Sequence, residues 1–231
     1  KIAGAGSVSF YPVLGVTTGK VSIANAEWSK AGPMLEAESL KIGVDFMALL
    51  QSDIRITALE VVAPKIILER AKDGRVNWSS GAGGGSDMLA VSLDRALIKG
   101  GSLRFIDAKS GDTQSIDSVD LDLRWPEYKG AADIDLVLRP NGKDVTVSGK
   151  VFEFAKFLKG EVSPLTAALS TSGGKATFNG RASIAPEAAG KIDVEASNLS
   201  AFVAALGGSA ALPAELGQSV QLAGWWVQSP H

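Results

Sequence analysis

A chain of 231 residues, 45% of them hydrophobic, can bury a sizeable core as one large β-rich domain or two small ones. Its formal charge of -2 leaves no basic excess to hold phosphate backbones, so nucleic acid is not an expected partner. Without cysteine, and with one histidine at the last position, His231, the chain offers no disulfide, no His/Cys zinc site, no cysteine nucleophile and no histidine-based triad, so neither an enzyme nor a cofactor is expected.

The chain opens in strand-like alternation at "KIAGAGSVSF", with Val8 and Phe10 on one face, and an upstream piece is expected before it. Neither a transmembrane window of 18 apolar residues nor a signal peptide is present in the sequence. Val21 and Ile23 continue the alternation, and "DFMALLQ" (residues 45–51) switches to helical spacing. Ile54 and Ile56 then lead into "LEVVAPKIILERAKDGRVNW". There Val61 with Val62, and Ile66 with Ile67 and Leu68, place aliphatics on both sides of a strand. Such a strand needs a cover on each face: a helix, with residues 45–51 the candidate, or an apolar ligand. Pro64 fits an edge or a bulge that bends the strand.

Asp73-Gly74 marks a turn, and "SSGAGGGSD" follows as a flexible Gly/Ser tract. The expected division is therefore an N-terminal β segment (1–78), a loop (79–87) and a continuation of the same sheet (88–231). Further turns are expected at Lys99-Gly100-Gly101, Ser110-Gly111-Asp112, Asn141-Gly142 and Ser172-Gly173-Gly174. Between them alternate Val119, Leu121, Leu123 and Trp125, then Ile134, Leu136 and Leu138, then Val145 and Val147. "FEFAKFLKG" (152–160) and "NLSAFVAALGG" (198–208) predict short helices, with Gly160 and Gly207 as C-terminal caps and Asn198 or Ser200 as an N-cap. Helices this short must pack on the sheet or plug its ends. Trp225 and Trp226 fit buried core, the start of a further strand, or an interface.

Asp120, Asp122, Asp133 and Asp135 are the one acidic constellation. They can form a calcium site or acid pair, but their alternation with leucines, and Arg124 and Arg139 nearby, read better as a solvated outer face. The glycine tract matches neither a dinucleotide nor a P-loop pattern.

Residues 13–78 closely resemble the N-terminal domain of the AsmA family of Gram-negative envelope proteins. The resemblance rests on Pro12, Gly15 and Val16 at its entry; Val21, Ala24, Asn25, Ala26 and Trp28; Met34, Glu36, Ala37, Ser39 and Leu40; Leu49 and Leu50; Ile56, Leu59, Pro64, Ile66, Leu68 and Glu69; and Asp73, Gly74, Asn77 and Trp78. Beyond Ser79 it weakens, although "IKGGSLRFIDAKSGDTQSIDSVDLDL" resembles the family's next hairpin. The resemblance implies a periplasmic protein held at the inner membrane by an N-terminal helix that lies outside this chain. It also implies kinship with bridge-like lipid transfer proteins, whose strands curl into an apolar gutter.

The expected fold is therefore mainly β, a curved antiparallel sheet forming a U-shaped groove, with short helices packed on it or capping its ends. The expected function is to hold or convey phospholipid, or another acyl-chain ligand, in outer-membrane maintenance. The expected lining is Ile54, Ile56, Leu59, Val61, Ile66, Leu68, Leu103, Phe105, Val119, Leu121, Leu123, Ile134, Leu136 and Leu138. A face slip of one residue near Pro64 is the weak point of that assignment. The alternative is a structural domain whose helices fill the sheet and which binds other envelope proteins.

Overall fold

The computed structural model describes residues 7–9, 14–50, 56–77, 93–183, 188–207 and 220–228. Ile54, Trp78, the Gly/Ser tract and His231 lie outside them. Strands dominate and form an open mixed sheet, since the strands at its two ends each have a single partner. The chain divides into two compact units, Lys1–Asp122 and Leu123–His231.

In the first unit three strand runs are each split at the same level. β1 (Ser7–Ser9) pairs with β2 (Leu14–Thr18). β2 and β3 (Val21–Ile23) lie against β5 (Ser39–Val44) and β4 (Leu35–Ala37) in one register, with Thr18 opposite Leu40 and Val21 opposite Ala37. β6 (Ile56–Val62) and β7 (Lys65–Arg70) extend it, with Ser39 opposite Val62 and Leu35 opposite Ile66. β8 (Leu93–Asp107) runs past the split without ending, placing Lys99 beside Val62 and Ser102 beside Lys65.

The split has a backbone cause. Ala63 and Gly100 take positive φ values of 48° and 62°, and Ser118 in β9 (Asp112–Trp125) takes 57°. For the two non-glycine residues this conformation costs about 1–2 kcal/mol each. Pro64 is buried and has no N–H to give the ladder. Hydrogen bonds bridge the gap: Glu38 N–H to Val62 O (3.0 Å), Ala63 N–H to Lys99 O (2.8 Å) and Ser102 N–H to Pro64 O (2.7 Å). A Cβ at Gly101 would force its neighbours to shift, because it would lie 2.9 Å from Ile98 Cγ2 and 3.2 Å from the Pro64 ring. The expected turn at Lys99-Gly100-Gly101 is thus a break inside one strand, selected by close approach to Pro64.

β8 runs parallel to β6 and β7, which departs from the expected all-antiparallel sheet. The reason is the connection. After the Asp73-Gly74 turn, where Gly74 has φ 88°, Asn77 N–H reaches back to Glu69 O (3.0 Å). Residue 77 is therefore level with Ile106, the β8 partner of Glu69, whereas β8 starts at Leu93. A crossover of this kind needs a dozen or more residues, and the stretch up to residue 92 supplies them.

The far end of this unit is held by Arg70 and Asp107, partners across β7 and β8. The Arg70 guanidinium grips both Asp107 oxygens, with Nε 3.0 Å from Oδ1, and Lys109 N–H adds a bond at 3.0 Å. Asp107 is one of two buried polar residues among those described. The guanidinium, opposed by burial and helped by the Lys109 amide, holds its carboxyl well below the usual aspartate range.

The second unit is antiparallel throughout its strand pairs. It runs from the end of β9 through β10 (Ala132–Leu138), a 3-10 turn (Pro140–Gly142), β11 (Val145–Val151) and α2 (Phe154–Leu158). β12 (Ser163–Thr171), β13 (Gly174–Ala182), β14 (Ala188–Ala196), α3 (Leu199–Ala205) and β15 (Val220–Gln228) follow. The helices end as expected, with Gly160 and Gly207 both at φ 83°, and the Asn198 side chain caps α3 by accepting from Ala201 N–H (2.9 Å). The buried apolar side chains of this unit's strands sit at strand ends. Trp125 meets Phe154 of α2 edge-on at 5.0 Å, and the backbone of α3 packs so closely on the β12–β13 turn that a Cβ on Gly173 would lie 2.3 Å from Phe202 N.

The crossover and the ion pair each generate a test. From residue 77 to residue 93 the chain must return over thirteen strand positions, roughly 43 Å at about 3.3 Å per residue. Deleting residues 79–86 leaves eight peptide steps, at most about 28 Å of reach. That deletion is expected to abolish cooperative unfolding by circular dichroism, whereas duplicating the same tract costs under about 1 kcal/mol. For Asp107, a carboxyl with a depressed native pKa adds stability above its ordinary value of about 3.9 and loses it as pH falls through the native value. Asp107→Asn should therefore lower the melting temperature at pH 7, with a gap from wild type that narrows between pH 4 and pH 2.

Candidate functional site

The register sorts side chains by face. In the second unit Ile134, Gly149, Ala167, Phe178 and Ile192 form one row across β10–β14. Leu136, Val147, Leu169, Ala176 and Val194 form the next row on the same face. The row between them, Asp135, Ser148, Ala168, Thr177 and Asp193, and the row flanking Ile134, Asp133, Lys150, Thr166, Asn179 and Lys191, belong to the other face. One face is thus apolar and the opposite one polar, over five strands.

The apolar face has little cover. Among the described residues of this unit the buried apolar side chains are Trp125, Ala132, Val145, Val151 and Ala196, each at a strand end, with Phe154, Phe202 and Ala205 from the helices. The central rows, including Ile134, Leu136, Val147, Leu169, Ile192 and Val194, are only half-buried. Both helices plug strand ends, as expected, and leave those rows open.

In the first unit Val16, Ile42, Leu59 and Ala96 share a row, and Leu40, Val61 and Ile98 the next. Ile56 joins their face despite its odd spacing from Leu59, because the register shifts at Gly43/Val44 and sets Ile56 opposite Val44. Across the break, Ile23, Leu35, Ile66 and Leu103 form one row, and Leu68 faces Phe105. The expected lining of this unit is therefore two ladders separated at Ala63-Pro64, not one. Val61 is buried and its neighbour Val62 half-buried. The helix offered as one of two possible covers for this strand, α1 (Phe46–Leu50), exposes Phe46 (52%), Met47 (62%) and Leu50 (65%).

Opposite the apolar rows lie ion pairs: Lys99 with Glu60 (2.6 Å), Arg95 with Asp122 (2.7 Å), Lys150 with Asp133 (3.2 Å) and Arg124 with Asp135 (3.4 Å). The Lys99 ammonium also holds the Glu60 carboxyl below its ordinary range. Asp120 accepts the Gly100 N–H at 2.8 Å. The four aspartates are each engaged in this way, and among the described residues no group of three His, Cys, Asp or Glu side chains can hold a metal. Val119, Leu121 and Leu123 alternate with these aspartates, on the face away from Arg95. Trp225 and Trp226 fall in β15, opposite Lys191 and Gly190.

Polar residues that carry the resemblance prove to be a lock on β7. Asn77 donates to Ile67 O (2.8 Å) and to Asn25 Oδ1 (2.9 Å), and its own Oδ1 accepts from Glu69 N–H (2.8 Å). Asn25 also donates to Gly32 O (3.0 Å), Ser29 donates to the Glu69 carboxylate, and Arg75 lies over the Trp28 ring at 5.5 Å. Alternation could not have found this role. The signal available was a pair of asparagines 52 residues apart, which periodicity does not score.

The AsmA family model matches residues 1–216. No curated protein and no solved structure matches the chain. Among the described residues no helix is long and apolar enough to cross a membrane.

Asn77→Asp removes both amide donations while keeping the acceptor that meets Glu69 N–H. It should cost about 1–3 kcal/mol in denaturant unfolding, and Asn25→Ala should cost less in that background than in the wild type, because the pair shares one bond while the Asn25–Gly32 bond is lost in both.

Proposed function

The chain belongs to the AsmA family, and from that premise we propose that it is a periplasmic protein, held at the inner membrane, whose apolar sheet faces hold or convey phospholipid acyl chains in outer-membrane maintenance. The observation that carries the proposal is the half-buried centre of the β10–β14 apolar face, with both helices at its ends. Each acyl methylene laid on that face leaves water, which is worth about 0.8 kcal/mol when it is fully buried. No side chain has to react. A chain of methylenes needs a continuous apolar surface, and a headgroup needs an open margin where it stays hydrated.

A second role, as a scaffold or subunit for other envelope proteins, draws on the exposed Phe46, Met47 and Leu50 of α1. The two differ in what co-purifies. Native mass spectrometry with lipid extraction, on protein purified from cells, should find phospholipid on the wild type. Leu136→Asp and Leu121→Asp should lose it while keeping a wild-type far-UV spectrum. A folded wild type without lipid would sink the lipid role and favour the scaffold.

A further inference from the structure

The polar face of β10–β14 is not flat. A depression of about 520 Å³ opens in its middle, floored by Ser148, Thr166, Ala168 and Thr177. Longer side chains rise around this floor: Asp133 and Lys150 on the β10–β11 side, Asn179, Lys191 and Asp193 on the β13–β14 side. The hollow exists because short residues occupy adjacent positions on neighbouring strands while the rim carries charges.

We propose that this hollow binds a neutral, polyhydroxylated ligand, a linear oligosaccharide lying across the strands. The rim is charge-balanced, since Lys150 pairs with Asp133 at 3.2 Å and Lys191 with Asp193 at 2.9 Å. An anionic ligand would meet as many carboxylates as ammonium groups, and so would a cation. Ser148, Thr166, Thr177 and Asn179 are engaged by no side-chain hydrogen bond among the described residues, so hydroxyl and amide groups line the hollow with donors and acceptors to offer. Asp133, Lys150, Thr166, Asn179 and Lys191 stand in one row, one per strand. At about 4.8 Å between strands, such a row presents one polar group per length of a hexopyranose unit. An extended peptide, by contrast, adds as a strand at a sheet edge, where its backbone finds partners.

The ligand would occupy the face opposite the acyl-binding rows, so the proposal stands or falls apart from the lipid role. Saturation-transfer NMR on the whole chain, with maltohexaose and chitohexaose as probes and a sulfated heparin hexasaccharide as the charged comparison, tests it. Transfer to the ring protons of at least one neutral probe is expected, with none to the sulfated one. Ala168→Lys, which lays a long chain across the floor, should abolish it. Thr166→Ala with Asn179→Ala should weaken binding at least tenfold, and Thr146→Ala, on the same face outside the hollow, should leave it unchanged. Transfer to the sulfated probe alone, to no probe at millimolar concentration, or undiminished transfer in the folded double variant would overturn the proposal.

Discussion

Antiparallel register is the constraint on which the second unit depends. Ala132, Val151, Leu165, Gly180 and Gly190 stand opposite one another, so every second residue from β10 to β14 joins the same face. A slip of one position in any strand would turn its leucines and valines toward the ion pairs and its lysines toward the apolar rows. Turns hold the register at each hairpin, and at two ends of the sheet a helix does so as well. Gly173, with no space for a Cβ against α3, joins a turn and a helix at one point.

The first unit meets a different constraint, a break that several strands must share. A residue with positive φ in one strand would spoil the pairing of its neighbours unless they deviate at the same level. Ala63 and Gly100 do so side by side, with Glu38 bonded across the gap to Val62, and Ser118 deviates in β9. Hydrogen bonding survives the break, which is why non-glycine residues tolerate the conformation. The polar lock around Asn77 and the Arg70–Asp107 pair then fasten β7 beyond the break, where it is joined to β6 only through Ala63-Pro64.

A sheet with one apolar and one polar face is ordinarily covered by a second layer. Here the described helices are spent on strand ends. The apolar rows of β10–β14 remain half-buried at their centre, and the polar face carries balanced charge pairs. The same alternation therefore gives the sheet one apolar and one polar face.

Much of this was legible in the residues themselves. Alternation at Ile134, Leu136 and Leu138, the Asn-Gly and Gly-Gly turns, the three short helices and the Asn198 cap are local properties, set by spacing and by the conformations glycine and asparagine allow. Other features depend on partners distant in sequence. Gly100-Gly101 looks like a turn until Pro64 is placed against it, and β8 reads as the return strand of a hairpin until a long crossover makes it parallel. Ile56 and Leu59 seem to face opposite ways until the register shift at Gly43/Val44 aligns them. The sequence by itself determined the faces and the turns, because those follow from a residue's immediate neighbours. Only the tertiary structure decided strand direction, the shared break and where, among the described residues, the helices pack, because each is settled by hydrogen bonds and packing between segments far apart in the chain.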